Sequence, residues 1–278
     1  MCRLTDMSAA CAGRRGLTLL ELLIATSIMA MVVVTLGTLA HGVQSAFEYT
    51  EGHGLAVQHA RVVLDRIARR VEDATANEHF PGFLVVPWRE GSLEFPEVLV
   101  VWHPDGEAAD PDGLPRYDEL VIYAPNLSVP SQLLEFTIPS DTRTVPPPGD
   151  LAQWRSELDT LRSSGHLQSV ALTDLLRVCR VPGTSGSSPW RGAVRFGSRL
   201  RPSAADWARY ESGELEWAEL PWAQGTYGSR TGMRQAALQI ELQLMPGKAP
   251  VVAEASAQTA VPFFGAAARY YPLERLQP

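Results

Sequence analysis

Cysteine and lysine are nearly missing from this chain. Of three cysteines, Cys2 and Cys11 fall within the first sixteen residues, so a chain processed behind them keeps only Cys179 and can form no intrachain disulfide. The surroundings of Cys179, Leu-Leu-Arg-Val-Cys-Arg-Val, suit a small buried hydrophobe. No motif places a histidine beside it as a catalytic base. Lys248 is the single lysine among 24 basic residues; we read this as compositional habit and draw no function from it. Positive charge is also short. The chain carries −7; the first sixteen residues hold three arginines and one aspartate, which leaves 21 basic against 30 acidic groups, or −9, on the rest. That balance argues against a nucleic-acid partner held by counterion release, a small local patch aside.

The signatures of enzyme chemistry are lacking too. There is no Gly-rich phosphate loop, no HExxH and no spaced Cys/His pair. Gly183-Thr184-Ser185-Gly186-Ser187 approaches a nucleophile elbow but has Ser187 where that motif requires glycine, and reads as a Gly/Ser loop. The six histidines are scattered, with His59 and His79 read as helix-surface groups. No catalytic residue and no cofactor is expected. The acidic, turn-rich stretch Asp105 to Gly113 offers Asp105, Asp110 and Asp112 as oxygen ligands that could hold calcium. The EF-hand pattern is absent, however, and two Asp-Gly turns at a hairpin tip account for the same residues.

What is present is enough for a folded domain: 278 residues, 45% hydrophobic and 20% charged. The informative part lies at the N-terminus. Leu22 to Ala40 is an uncharged, mostly apolar run of 19 residues. As a helix it is roughly 29 Å long at ~1.5 Å per residue, close to the ~30 Å hydrocarbon core of a bilayer. Arg14 and Arg15 precede it and no matching basic cluster follows, so by the positive-inside rule the N-terminus stays cytoplasmic and the rest is exported.

Three readings compete for this segment. A secretory signal peptide would end at Thr38-Leu39-Ala40, but its apolar region is usually only ~7–15 residues. A plain single-pass anchor fits the length. Neither accounts for Glu21, since a carboxylate within a membrane helix costs ~2.5–3.5 kcal/mol at mid-span and less near an end. The string Arg15-Gly16-Leu17-Thr18-Leu19-Leu20-Glu21 resembles the cleavage and methylation motif of type IV prepilins and type II secretion pseudopilins. The resemblance implies that a prepilin peptidase cuts between Gly16 and Leu17, that Leu17 is then N-methylated, and that Glu21 becomes the fifth mature residue and serves assembly. It also implies that the apolar run is kept as the core helix of a filament subunit. Leu17 stands where phenylalanine is commoner, and no proline interrupts the run, where Gly37 sits instead.

Beyond Ala40 the helix is expected to continue. Val57, Ala60, Leu64, Ile67, Val71 and Ala74 recur at spacings of three and four, one face of a helix. Asp65–Arg69 and Arg69–Asp73 are opposite-charge pairs four apart. Pro81-Gly82 is the expected stop, with a bend or frayed stretch at Gly42, Gly52 and Gly54. The wording from His59 to Ala74 resembles the second half of the long helix in J-type pseudopilins and W-type minor pilins.

The remainder reads as strands and turns: Phe83 to Trp88, Glu97 to Trp102, Glu119 to Ala124, Leu133 to Ile138, and the alternating Leu238 to Leu244. Val251 to Phe264 adds a strand pair or a long edge strand. Between about 146 and 232 a helical insertion is expected, with Asp150 and Gln153 capping a helix that carries Leu151, Trp154, Leu158 and Leu161, and Gly165 stopping it. Ser203 caps another that carries Trp207 and Tyr210. Its tryptophans serve packing or, if exposed in pairs, a contact surface.

The expected organisation is a leader (1–16), a transmembrane and filament-core helix (17–40), its amphipathic second half (41–80) and an antiparallel β-rich periplasmic head (81–278), an α+β fold. The expected function is that of a minor pilin or pseudopilin, J- or W-type rather than the K-type tip subunit that lacks the glutamate. It would sit in the inner membrane and then in a filament, with prepilin peptidase/methyltransferase and other subunits as partners. The alternative is a secreted or membrane-tethered periplasmic binding or hydrolytic domain that uses residues 17–40 only for export.

Overall fold

The structure, a computed structural model, describes residues 18–164, 167–181, 190–220, 231–246 and 260–274. Helix α1 runs Leu19–Glu72, 54 residues without a break, through Gly37, Gly42, Gly52 and Gly54. The helix is not frayed at Gly42, Gly52 and Gly54, where a bend or a frayed stretch was expected. Leucine, alanine and methionine dominate the early turns, and no proline removes a donor from the ladder. Hydroxyl groups in this stretch are satisfied locally: Ser27 donates to Leu23 O at 2.8 Å, and Thr35 to Met31 O at 2.9 Å. The chain divides into one unit that ends at Thr50 and another that begins at Glu51.

In the second unit α1 turns amphipathic. Ala56, Ala60, Val63, Ile67 and Val71 are buried, and Ala74 follows just past the helix end. Ala60, Ile67, Val71 and Ala74 of the expected face are buried, but Val57 is 42% exposed and Leu64 only partly buried, and Ala56 and Val63 take their places in the seam. The helix also ends earlier than Pro81-Gly82. The backbone N–H of Thr75 donates to Trp102 O at 2.9 Å, and Asn77 Oδ1 accepts from the N–H groups of His79 and Phe80. These bonds draw the chain out of the helical ladder before the proline is reached.

Strands β1 (Phe83–Glu90), β2 (Leu93–Trp102), β3 (Leu120–Pro125), β4 (Leu133–Thr137) and β5 (Gln168–Thr173) form an antiparallel sheet in sequential order. Alternation splits their side chains between two cores. Leu99, Val101, Val121 and Tyr123 face the buried side of α1, whereas Val98, Val100, Trp102 and Ile122 face helix α2 (Leu151–Ser164) through Trp154, Leu158 and Leu161. Asp150 Oδ1 accepts from Gln153 N at 3.0 Å and caps α2 as expected.

The stretch 146–232 supplies its two helices and also strands that join the sheets. β5 closes the edge beside β4, and β6 (Val178–Arg180) pairs with β7 (Trp190–Gly192) as a short ribbon. β8 (Val194–Arg201) pairs with β9 (Thr231–Leu244), which pairs in turn with β10 (Val261–Glu274). Leu238, Ile240, Leu242 and Leu244 of β9 enter the α1 core with the alternation read from sequence. Helix α3 (Ala204–Glu211) is capped by Ser203, whose Oγ accepts from Asp206 N, and carries a small separate cluster of Trp207, Tyr210, Trp217 and Leu220. The Gly183 to Ser187 loop, Gly165 and the earlier part of the Val251–Phe264 strand fall outside the described residues.

Candidate functional site

Of the residues singled out at the N-terminus, Gly16 and Leu17 fall outside the described residues and Glu21 lies in the first turn of α1. Its partner is a residue that the motif reading passed over. Thr18 Oγ1 accepts from the Glu21 backbone N–H at 3.2 Å, and Glu21 Oε2 accepts from Thr18 N–H at 2.9 Å and from the Thr18 hydroxyl at 3.0 Å. This is a reciprocal capping box: each side chain satisfies a donor that the first turn leaves open. The signal was available as Thr-x-x-Glu before an apolar run.

Behind that cap every residue from Thr18 to Glu51 is exposed. Leu19 is 81% exposed and even the most covered of the large side chains in this stretch, Val32, is 47% exposed. Fully burying one such side chain is worth ~1.5–3 kcal/mol, so a dozen left in water would be strongly unfavourable. α1 is long and apolar enough to cross a membrane. Glu21 is the only charged residue between Arg15 and Glu48, His41 taken as neutral.

Some of the head's charged groups form ion pairs. On α1, Arg66 is bound to Glu135 and Arg69 to Asp65, the latter at 2.9 Å. Arg70 Nη1 lies within hydrogen-bond distance of the His103 ring, and burial followed by the Arg70 charge holds the His103 pKa below its ordinary value. His59, expected on the helix surface, instead approaches Thr173 of β5 at 3.0 Å, and His79 lies beyond the helix end. Cys179 is half-buried on β6 rather than a core residue.

Asp105, Asp110 and Asp112 do not converge. Among the described residues, no group of three or more His, Cys, Asp or Glu side chains is placed to hold a metal ion. The loop is organised by protein donors and acceptors instead. The Asn77 amide donates to Pro111 O at 2.9 Å and to Gly113 O at 2.7 Å, and the Glu119 carboxylate accepts from the backbone N–H groups of Ala109 and Arg116. Sequence reasoning missed both organisers, since neither lies inside the acidic stretch. No protein-family model, no curated protein and no solved structure matches the chain.

Proposed function

We propose that this chain is a minor pilin or pseudopilin, a filament subunit that a prepilin peptidase cuts between Gly16 and Leu17 and that assembles through the apolar half of α1. One observation carries the reading: a single carboxylate, Glu21, heads a 19-residue uncharged run that is exposed along its whole length. An apolar helix without protein cover needs lipid or other helices around it. A pilin-like subunit has each in turn, first the inner membrane with Arg14 and Arg15 on the cytoplasmic side and the head in the periplasm, then the filament core. Cleavage would create an amino group on Leu17 with a reference pKa of ~7.7–8.0, mostly cationic at neutral pH. That ammonium is the partner a carboxylate needs in an apolar filament core, whether on the same subunit or a neighbour. By the same resemblance, chain length and Glu21 favour a J- or W-type component, with the peptidase/methyltransferase and other subunits as partners.

Intact-mass measurement of the protein from membranes tests this directly. A mature chain that starts at Leu17 with one added methyl group supports the proposal. A start at His41 overturns it.

The Thr18–Glu21 capping box favours a second reading. It gives Glu21 a local role as a helix cap, so residues 17–40 would serve only to export or tether a periplasmic binding or hydrolytic domain. On that reading Gly16 is not a cleavage site, and losing Glu21 matters no more than losing Thr18.

A further inference from the structure

A cleft of about 300 Å³ opens between the start of β2, the β6–β7 ribbon and strands β8 and β9. Its floor is charged. Glu97, 2% exposed, accepts a hydrogen bond from Arg191 Nη1 at 3.0 Å. The Arg191 side chain is itself only 12% exposed, and its guanidinium lies over Trp88, 3.6 Å from the ring centroid, which fixes its plane. Among the described residues, the Arg191 Nε is buried without a hydrogen-bond partner.

A second guanidinium stands close behind. Arg162 of α2 is partly buried, donates to Pro125 O at 3.3 Å, and interacts electrostatically with both Glu97 and Arg191. Asp159, exposed one turn earlier on α2, acts on it more weakly than Glu97 does. The buried Glu97 thus interacts with two partly buried guanidiniums, Arg191 and Arg162. Burial drives the Glu97 carboxyl above its ordinary pKa against the pull of Arg191 and Arg162, so the local positive excess grows as pH falls. At the rim, Arg177 Nη1 donates to Gln243 Oε1 and Gln243 Nε2 to Glu241 Oε1, both at 3.1 Å, while Arg195 pairs across from Glu241.

We propose that this cleft binds a small oxyanion of the carboxylate or phosphate class, with Arg191 as the principal donor and Arg177 and Arg195 at the rim. Arg177, Arg191 and Arg195 line the cleft against two carboxylates, Glu97 and Glu241, and arginine cannot shed its proton, so an anion is the ligand that relieves the excess. Glu97 occupies Nη1 of Arg191, and the other N–H groups of this cleft-lining side chain remain for a charge-assisted hydrogen bond to the ligand. The proposal is independent of the pilin reading, since it rests on the head alone.

The test uses the full chain in detergent micelles, titrated calorimetrically with inorganic phosphate and separately with acetate against sodium chloride of matched ionic strength. Saturable binding of at least one of the two is expected. Arg195→Ala, an exposed position that leaves the fold intact, should weaken it by about tenfold, the loss of one charge-assisted contact. Arg191→Gln should abolish it. In a chain with Cys2→Ser and Cys11→Ser, the bound anion should slow thiol labelling of Cys179, which lines the cleft. Preference between phosphate and acetate then assigns the class. Absence of saturable binding, or binding equally strong in Arg195→Ala with Cys179 unprotected, overturns the proposal even if Arg191→Gln fails to fold.

Discussion

Arg66 on α1 grips both carboxylate oxygens of Glu135 on β4, Nε to Oε2 and Nη2 to Oε1, each at 2.7 Å. The pair pins the helix to the five-stranded sheet beside the apolar seam. Its two ends differ in environment, with the Glu135 side chain 7% exposed and that of Arg66 43%. It is therefore worth more than a solvated surface pair and less than a fully buried one.

Burial pushes the Glu135 carboxyl up, but the Arg66 hydrogen bonds and charge, helped by Tyr123, leave it below its ordinary value of 4.5. A carboxyl whose folded pKa is depressed adds stability above its unfolded pKa, and that stability is lost as pH falls through the folded value. The head should therefore weaken on acidification below about pH 4.5. Glu135→Gln should lose that part of the pH dependence and cost about 1–2 kcal/mol near neutrality, discounted for the exposed guanidinium. Urea denaturation near neutral pH and near pH 3.5 reads both effects; parallel pH profiles in the two proteins would count against the pair.

Ile67 is 0% exposed in the core shared by α1, the five-stranded sheet and β9. A chain that begins at Glu51, the boundary of the second unit, is expected to fold without the apolar segment. Ile67→Asp in that chain should lower stability by several kcal/mol, about 3–5, because the new carboxylate has no partner in the seam. Thermal melting decides it, and an unchanged midpoint would mean the seam does not hold the head together.

Gly16→Val is expected to leave the precursor in the membrane, uncleaved and unassembled. Cutting beside a small residue needs close access to the backbone, which a β-branched side chain blocks. Immunoblotting of membranes shows the outcome by size, and a mature-sized product would show that the bond is not the one cut.

Thr18→Ala and Glu21→Ala separate the two roles open to the first turn of α1. Losing the Thr18 cap should cost the helix start about 1 kcal/mol and leave assembly intact. On the proposed function, losing Glu21 removes the attraction between its carboxylate and the Leu17 ammonium of the processed chain, an attraction that is strong where water is excluded. The Glu21→Ala chain should thus be inserted and cleaved normally yet enter filaments poorly. Processing followed by N-terminal mass, with incorporation followed by shearing in the same cells, tests this. Wild-type incorporation of cleaved Glu21→Ala would reduce Glu21 to a helix cap.

Much of the fold was legible in the sequence because it rests on local periodicity. The alternation of Leu238, Ile240, Leu242 and Leu244, and the caps at Asp150 and Ser203, sit where their patterns put them. What escaped depends on partners far along the chain. Gln168 to Thr173 is exposed on both faces over its first four residues, has no strong apolar alternation, and becomes a strand by pairing with β4. β8 ends in the polar run Arg-Leu-Arg and is settled by β9. The helix end at Glu72 depends on Thr75 reaching Trp102. At the candidate site, Glu21 was visible through its position in an apolar run. Thr18 was legible as well, but only to a capping argument, and the cleft at Arg191 was not, since Glu97 lies 94 residues away.

The buried face of α1 is made long before its cover. Strand residues such as Ile240 follow Ile67 by about 170 positions. At ~5–20 residues per second of synthesis, that face waits roughly 10 to 35 s before β9 exists to cover it. The five-stranded sheet, complete by Thr173, covers one side of Val63, Ile67 and Val71 first, and the side toward β9 stays open for that interval. The core around α1 therefore closes only when β9 has been made, late in synthesis.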